Sequence, residues 1–136
     1  MAHTYTVAEA RVLLAELLPV LQKIVTLRAD IAELGAALRI GAPSRLGGLP
    51  ELKAAQAHVD ELLTRITAHE DVQLKGIAPL LLDFPAELHG EAVLLCWLEG
   101  DADLGWYHRV DLGFAGRRRL AGQPPSPSRQ PAHDER

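Results

Sequence analysis

The sequence predicts an α+β fold, a long antiparallel helical hairpin followed by a small antiparallel β-meander. Three observations carry this expectation. Apolar residues recur every three or four positions over residues 7–40 and again over residues 50–75, the spacing of one face of a helix. From residue 80 the pattern changes to short aliphatic and aromatic runs separated by Gly- and Asp-containing turns, the mark of short strands. Both Trp, both Phe and the only Cys lie within residues 80–120.

The first helix has a clear start. Thr6-Val7-Ala8-Glu9 is a capping box, in which the Thr6 hydroxyl accepts from the Glu9 amide and the Glu9 carboxylate accepts from the Thr6 amide. Ala10, Leu14, Leu17, Leu21, Ile24, Leu27, Ile31, Leu34 and Leu38 then form one apolar seam. Pro19 has no amide hydrogen to give Ala15, which predicts a kink or short break there. Gly41-Ala42-Pro43-Ser44 ends the helix, and Pro50 suits the first turn of the next. Leu52, Ala55, Val59, Leu62, Leu63, Ile66 and Val72 give the second helix its apolar side, and Gly76 is its expected cap.

Three strands are then predicted: residues 80–84, ending at Pro85, then 92–98 and 104–109. His89-Gly90 and Glu99-Gly100-Asp101 supply the turns, and Gly113-Phe114-Ala115-Gly116 a further one. Residues 1–120 are expected to form a single α+β domain. Residues 121–136, rich in Pro and Ser, are expected to be a disordered tail.

Composition narrows the function classes. With aromatics at 4% of 136 residues, the core must be mainly aliphatic. A net charge of −4 offers no general attraction to nucleic acid or anionic lipid. One Cys allows no internal disulfide, and the start shows no basic segment followed by an apolar run. The aliphatic stretch 77–82 contains Pro79 and falls far short of the roughly 20 residues of a spanning helix. These features predict a cytoplasmic protein that neither enters a membrane nor binds nucleic acid. The two helices and the sheet carry more apolar stripe than they can hide alone, which predicts a homodimer through the helices.

Within the meander, Leu82-Asp83-Phe84-Pro85, Leu95-Cys96-Trp97, Gly105-Trp106-Tyr107-His108 and Gly113-Phe114-Ala115-Gly116-Arg117 together resemble the bacterial domain-of-unknown-function family 2203. Thr6, Glu9, Ala10, Leu13, Leu14 and Pro19 resemble its N-terminal pattern, and the likeness spans about residues 4–120. The chain departs from that pattern at Gly100-Asp101, where the family has Gly-Glu, and at Trp106-Tyr107-His108, where it has Tyr-Trp-His. Arg117-Arg118-Arg119 replaces an Arg-Gln-Pro ending. The resemblance implies a shared fold and a place for a site, but no reaction.

Chemistry, if the chain performs any, belongs to the meander. Placing Cys96 opposite Trp106 and Leu94 opposite His108 puts these side chains on one face, with Val93, Leu95, Trp97 and Tyr107 on the other. The candidate binding patch is Asp83, Cys96, Trp97, Asp101, Trp106, His108, Asp111 and Arg117. His108, Asp83 and Asp111 are the best metal candidates, since imidazole with carboxylates suits a first-row divalent ion. Bland readings stand beside these. Cys96 sits among Leu94, Leu95, Trp97 and Leu98 and reads as an inert core thiol rather than a nucleophile. The Trp pair reads as core, the arginine run as a solvated rim, and His108 as a structural histidine. The leading expectation is therefore a dimeric interaction or scaffold module with a binding patch on the aromatic meander. A small metal-dependent enzyme or metal-binding protein using His108 ranks second, with a divalent metal as its cofactor.

Overall fold

The computed structural model describes residues 3–120; the tail expected over residues 121–136 lies outside the described residues. Two helices precede a five-stranded sheet: α1 (Val7–Ile40), α2 (Leu49–Thr67), β1 (Gln73–Ile77), β2 (Leu80–Leu88), β3 (Glu91–Leu98), β4 (Trp106–Arg109) and β5 (Arg118–Arg119). The sheet is an antiparallel meander in the order β1-β2-β3-β4-β5. The α+β class and the helices-then-strands order are those the sequence predicts. Among the described residues no helix is long and apolar enough to cross a membrane.

The chain groups into two compact units, residues Leu17–Ala68 and the remainder. In the first, Leu17, Leu21, Ile24, Leu27 and Leu34 of α1 and Leu62 and Ile66 of α2 are buried. A single chain therefore hides most of the predicted seam, and the premise that this stripe needs a second copy does not hold. Pro19 does not break α1. It is exposed, as is Ala15, so water can serve the carbonyl that Pro19 leaves unpaired.

In the second unit the Thr6–Glu9 capping box is present, with Thr6 N donating to Glu9 Oε1 at 2.9 Å and Glu9 N to Thr6 Oγ1 at 3.0 Å. Leu80, Leu82, Phe84 and Ala86 of β2 and Val93, Leu95 and Trp97 of β3 are all buried and alternate onto one face of the sheet. Ala10, Leu13 and Leu14 complete the apolar set of this unit. The segment before α1 joins the sheet margin: Tyr5 N donates to the Pro85 carbonyl at 2.7 Å and the Tyr5 ring meets Phe84 edge-on.

The sheet has five strands where three are predicted, with β5 unexpected and β4 starting at Trp106 and not at residue 104. Two further boundaries differ, for identifiable reasons. The second helix stops at Thr67, not near residue 75, and residues 73–77 form a strand. Asp71 takes a left-handed φ of 61°, which ends any helical continuation, and β1 gains a ladder with β2 that local periodicity cannot show. Gly76 is in this strand and caps no helix; a Cβ there would lie 3.0 Å from the Pro79 carbonyl oxygen. Secondly, β2 runs through Pro85 to Leu88. The β1 ladder reaches only to Asp83, so Pro85 lies where β2 has no strand on that side and its missing amide costs nothing.

Candidate metal site

Three adjacent strands supply the site. Asp83 of β2 pairs with Cys96 of β3, and Cys96 with Trp106 of β4; in the next row Leu94 pairs with His108. Side chains alternate with period two, so Asp83, Cys96, Trp106 and His108 share the face opposite the apolar layer. Asp83 is 1% exposed, Cys96 0% and His108 2%. A carboxylate oxygen of Asp83, Cys96 Sγ and one ring nitrogen of His108 all lie within 4.8 Å of one another.

The hydrogen bonds of His108 define what this cluster can hold. Its Nδ1 lies 2.9 Å from the Arg109 carbonyl oxygen, which can only accept, so Nδ1 carries the hydrogen. In the neutral ring Nε2 is then a lone pair, and it points at Asp83 Oδ2 from 3.3 Å. Lone pair facing carboxylate is unfavourable unless a proton or a metal cation stands between them. Two ligands each about 2.05 Å from a tetrahedral zinc ion lie about 3.3 Å apart, which is the separation seen. Asp83 Oδ1 is buried and has no hydrogen-bond partner among the described residues, a costly arrangement for a carboxylate. The Lys75 ammonium lies 3.7 Å from Asp83 Oδ2.

Cys96 is not poised as a nucleophile. Burial, and then the negative charge of Asp83, push its thiol up to about 12, against the opposing pull of the Arg117 guanidinium. Arg117 itself stacks over Trp106 at 4.3 Å and Phe114 at 4.5 Å, and meets Asp101 Oδ2 at 3.5 Å. With its side chain 11% exposed, Arg117 is a packed residue and not the solvated rim expected from the arginine run. Asp101 is spent on holding the β3–β4 loop, accepting from the Leu98 amide at 3.0 Å and, through its carbonyl, from Trp97 Nε1 at 3.1 Å.

A family model described as an uncharacterized conserved protein, DUF2203, matches residues 3–120. The chain belongs to the DUF2203 family. Comparison with curated proteins and with solved structures finds no match.

For this DUF2203 chain the structure sorts the expected site residues. Asp83, Cys96 and His108 come together, and Trp106 and Arg117 border them. Trp97 faces the apolar layer instead, on the other side of the sheet. Asp111 is not in the cluster; it is exposed and pairs with Arg109 at 3.2 Å. Asp111 does not join His108 because β4 ends at Arg109 and Asp111 lies in the exposed turn that follows, outside the alternation that sets His108 on the buried face. Lys75 is the residue that sequence reasoning missed. Its signal is the Gln73-Leu74-Lys75 alternation before Pro79, which follows directly on apolar residues at helical spacing and so merges with the helix pattern.

Proposed function

We propose that this protein binds a thiophilic divalent transition metal, zinc foremost, through Asp83, Cys96 and His108. The observation that carries the reading is the His108 geometry: Nδ1 tied to the Arg109 carbonyl and Nε2 turned onto Asp83 from 3.3 Å. Metal-bound histidines are held in this way, one nitrogen anchored by an acceptor and the other free for the ion. A sulfur, a nitrogen and an oxygen donor suit zinc or cobalt and suit magnesium or calcium poorly. Binding replaces the Cys96 thiol proton with the ion, which offsets the desolvation that holds the thiol neutral. Three protein ligands leave a fourth position for water or a small molecule, the arrangement of zinc sites that do chemistry.

The test is titration of tag-free protein with cobalt(II), reading the thiolate-to-cobalt absorption, followed by displacement with zinc. Wild type is expected to take up one ion, and Cys96→Ser and His108→Gln to lose the absorption. If wild type shows no cobalt–thiolate band, the cluster is a metal-free network of Asp83 with His108 and Lys75, and the reading is wrong.

A second reading, self-association through the helical hairpin, is favoured by a separate observation. Leu38, Ile40, Leu46 and Leu49 are exposed around the connection between α1 and α2, with Ile40 at 78%. We infer a homodimer that covers this end, a more restricted interface than the whole seam. Sedimentation of wild type against Ile40→Glu checks it; a monomeric wild type at assay concentrations ends it. One buried free thiol suits a reducing compartment, and the cytoplasm is the location we propose.

A further inference from the structure

Between Leu74 and Gly76, β1 carries one residue more than β2, and that residue is Lys75. A bulge re-aims a side chain. Here it brings the ammonium to 3.7 Å from Asp83 Oδ2, on an edge strand and at the border of the buried cluster. The two partners differ in freedom, because the lysine side chain is 44% exposed whereas that of Asp83 is 2% exposed. Lys75 can withdraw into water on its long stem, but Asp83 cannot leave the sheet.

We propose that Lys75 is the affinity-determining residue of this site, a tethered cation that an incoming metal ion must displace. The inference rests on the metal reading given above. Charge arithmetic motivates it. The Asp83 carboxylate and the Cys96 thiolate together balance a dication, so an ammonium remaining beside Asp83 adds one uncompensated positive charge next to the metal. Without metal the same ammonium partly neutralises a buried carboxylate whose other oxygen has no partner among the described residues. Loading the site therefore moves Lys75 from Asp83 to solvent, and the metal affinity is lower than the three donors alone would give.

Zinc affinities of wild type, Lys75→Gln and His108→Gln, measured by competition with a chromophoric chelator, test this. Lys75→Gln is expected to bind zinc on the order of ten-fold more tightly than wild type, as removal of a nearby like charge requires. In wild type, zinc should also raise the acylation rate of the Lys75 amine several-fold, read by mass spectrometry without any substitution. Zinc binding by wild type that is lost in His108→Gln but unchanged or weakened in Lys75→Gln overturns the role of Lys75 and leaves the metal site standing. If neither wild type nor Lys75→Gln binds zinc, the metal reading fails and this proposal falls with it.

Discussion

Asp83 and His108 are separated by 25 positions in the chain and by 3.3 Å in space, and β3 lies between their strands. The pair is buried, and the imidazole reaches diagonally past Cys96 to the carboxylate. Each group on its own would be an ordinary polar residue on a sheet. Together with the thiol they form a three-donor set that neither the helices nor the turns supply.

His108→Gln separates a structural role from a ligand role. The fold is expected to persist, with a loss of about 1 kcal/mol from the hydrogen bond to the Arg109 carbonyl. Zinc should stabilise wild type against heat and leave the variant unmoved. Equal stabilisation of both by zinc would place the ion elsewhere in the chain.

Alkaline stability reports on Cys96. Its thiol is raised from 9.0 to about 12, so the folded protein holds the proton that the unfolded chain releases. Stability is intact below pH 9 and falls as pH rises toward 12, at about 1.4 kcal/mol per pH unit from this group. Tyr5, raised by burial, shifts in the same direction. Urea unfolding at a series of pH values should give a shallower alkaline loss for Cys96→Ala, and an unchanged slope would mean that the thiol is not desolvated.

Leu21→Glu should prevent folding rather than merely dissociate an oligomer. Leu21 is buried within the single chain, and an unpaired carboxylate in its place carries a penalty of several kcal/mol. Circular dichroism of the variant should show loss of the cooperative thermal transition. A folded, monomeric variant would mean that α1 is covered by a second copy after all.

Thr6→Ala should lower stability by about 1 kcal/mol, because the Glu9 amide loses its acceptor at 3.0 Å and the first turn loses its cap. The urea midpoint measures this directly. No change would place the start of α1 beyond the capping box.

The sequence by itself determined the helix-then-strand order, the N-terminal cap, the His89-Gly90 turn and the β3–β4 register that sets Cys96 beside Trp106 and Leu94 beside His108. These are local matters: a capping box, a two-residue turn and the alternation of a strand are written within a few consecutive residues. Tertiary structure decided the rest. β1 exists because residues 73–77 find β2, and β2 continues through Pro85 because it has no strand on that side there. The partner of His108 is Asp83 rather than nearby Asp111, since pairing across a sheet depends on which strands become neighbours and not on distance along the chain. Arg117 left its expected place in water because Trp106, Phe114 and Asp101 converge on it only once β4 and the segment after it have folded. Lys75 reaches Asp83 through a bulge, one residue out of register, and a register is settled by the two strands together and by neither alone.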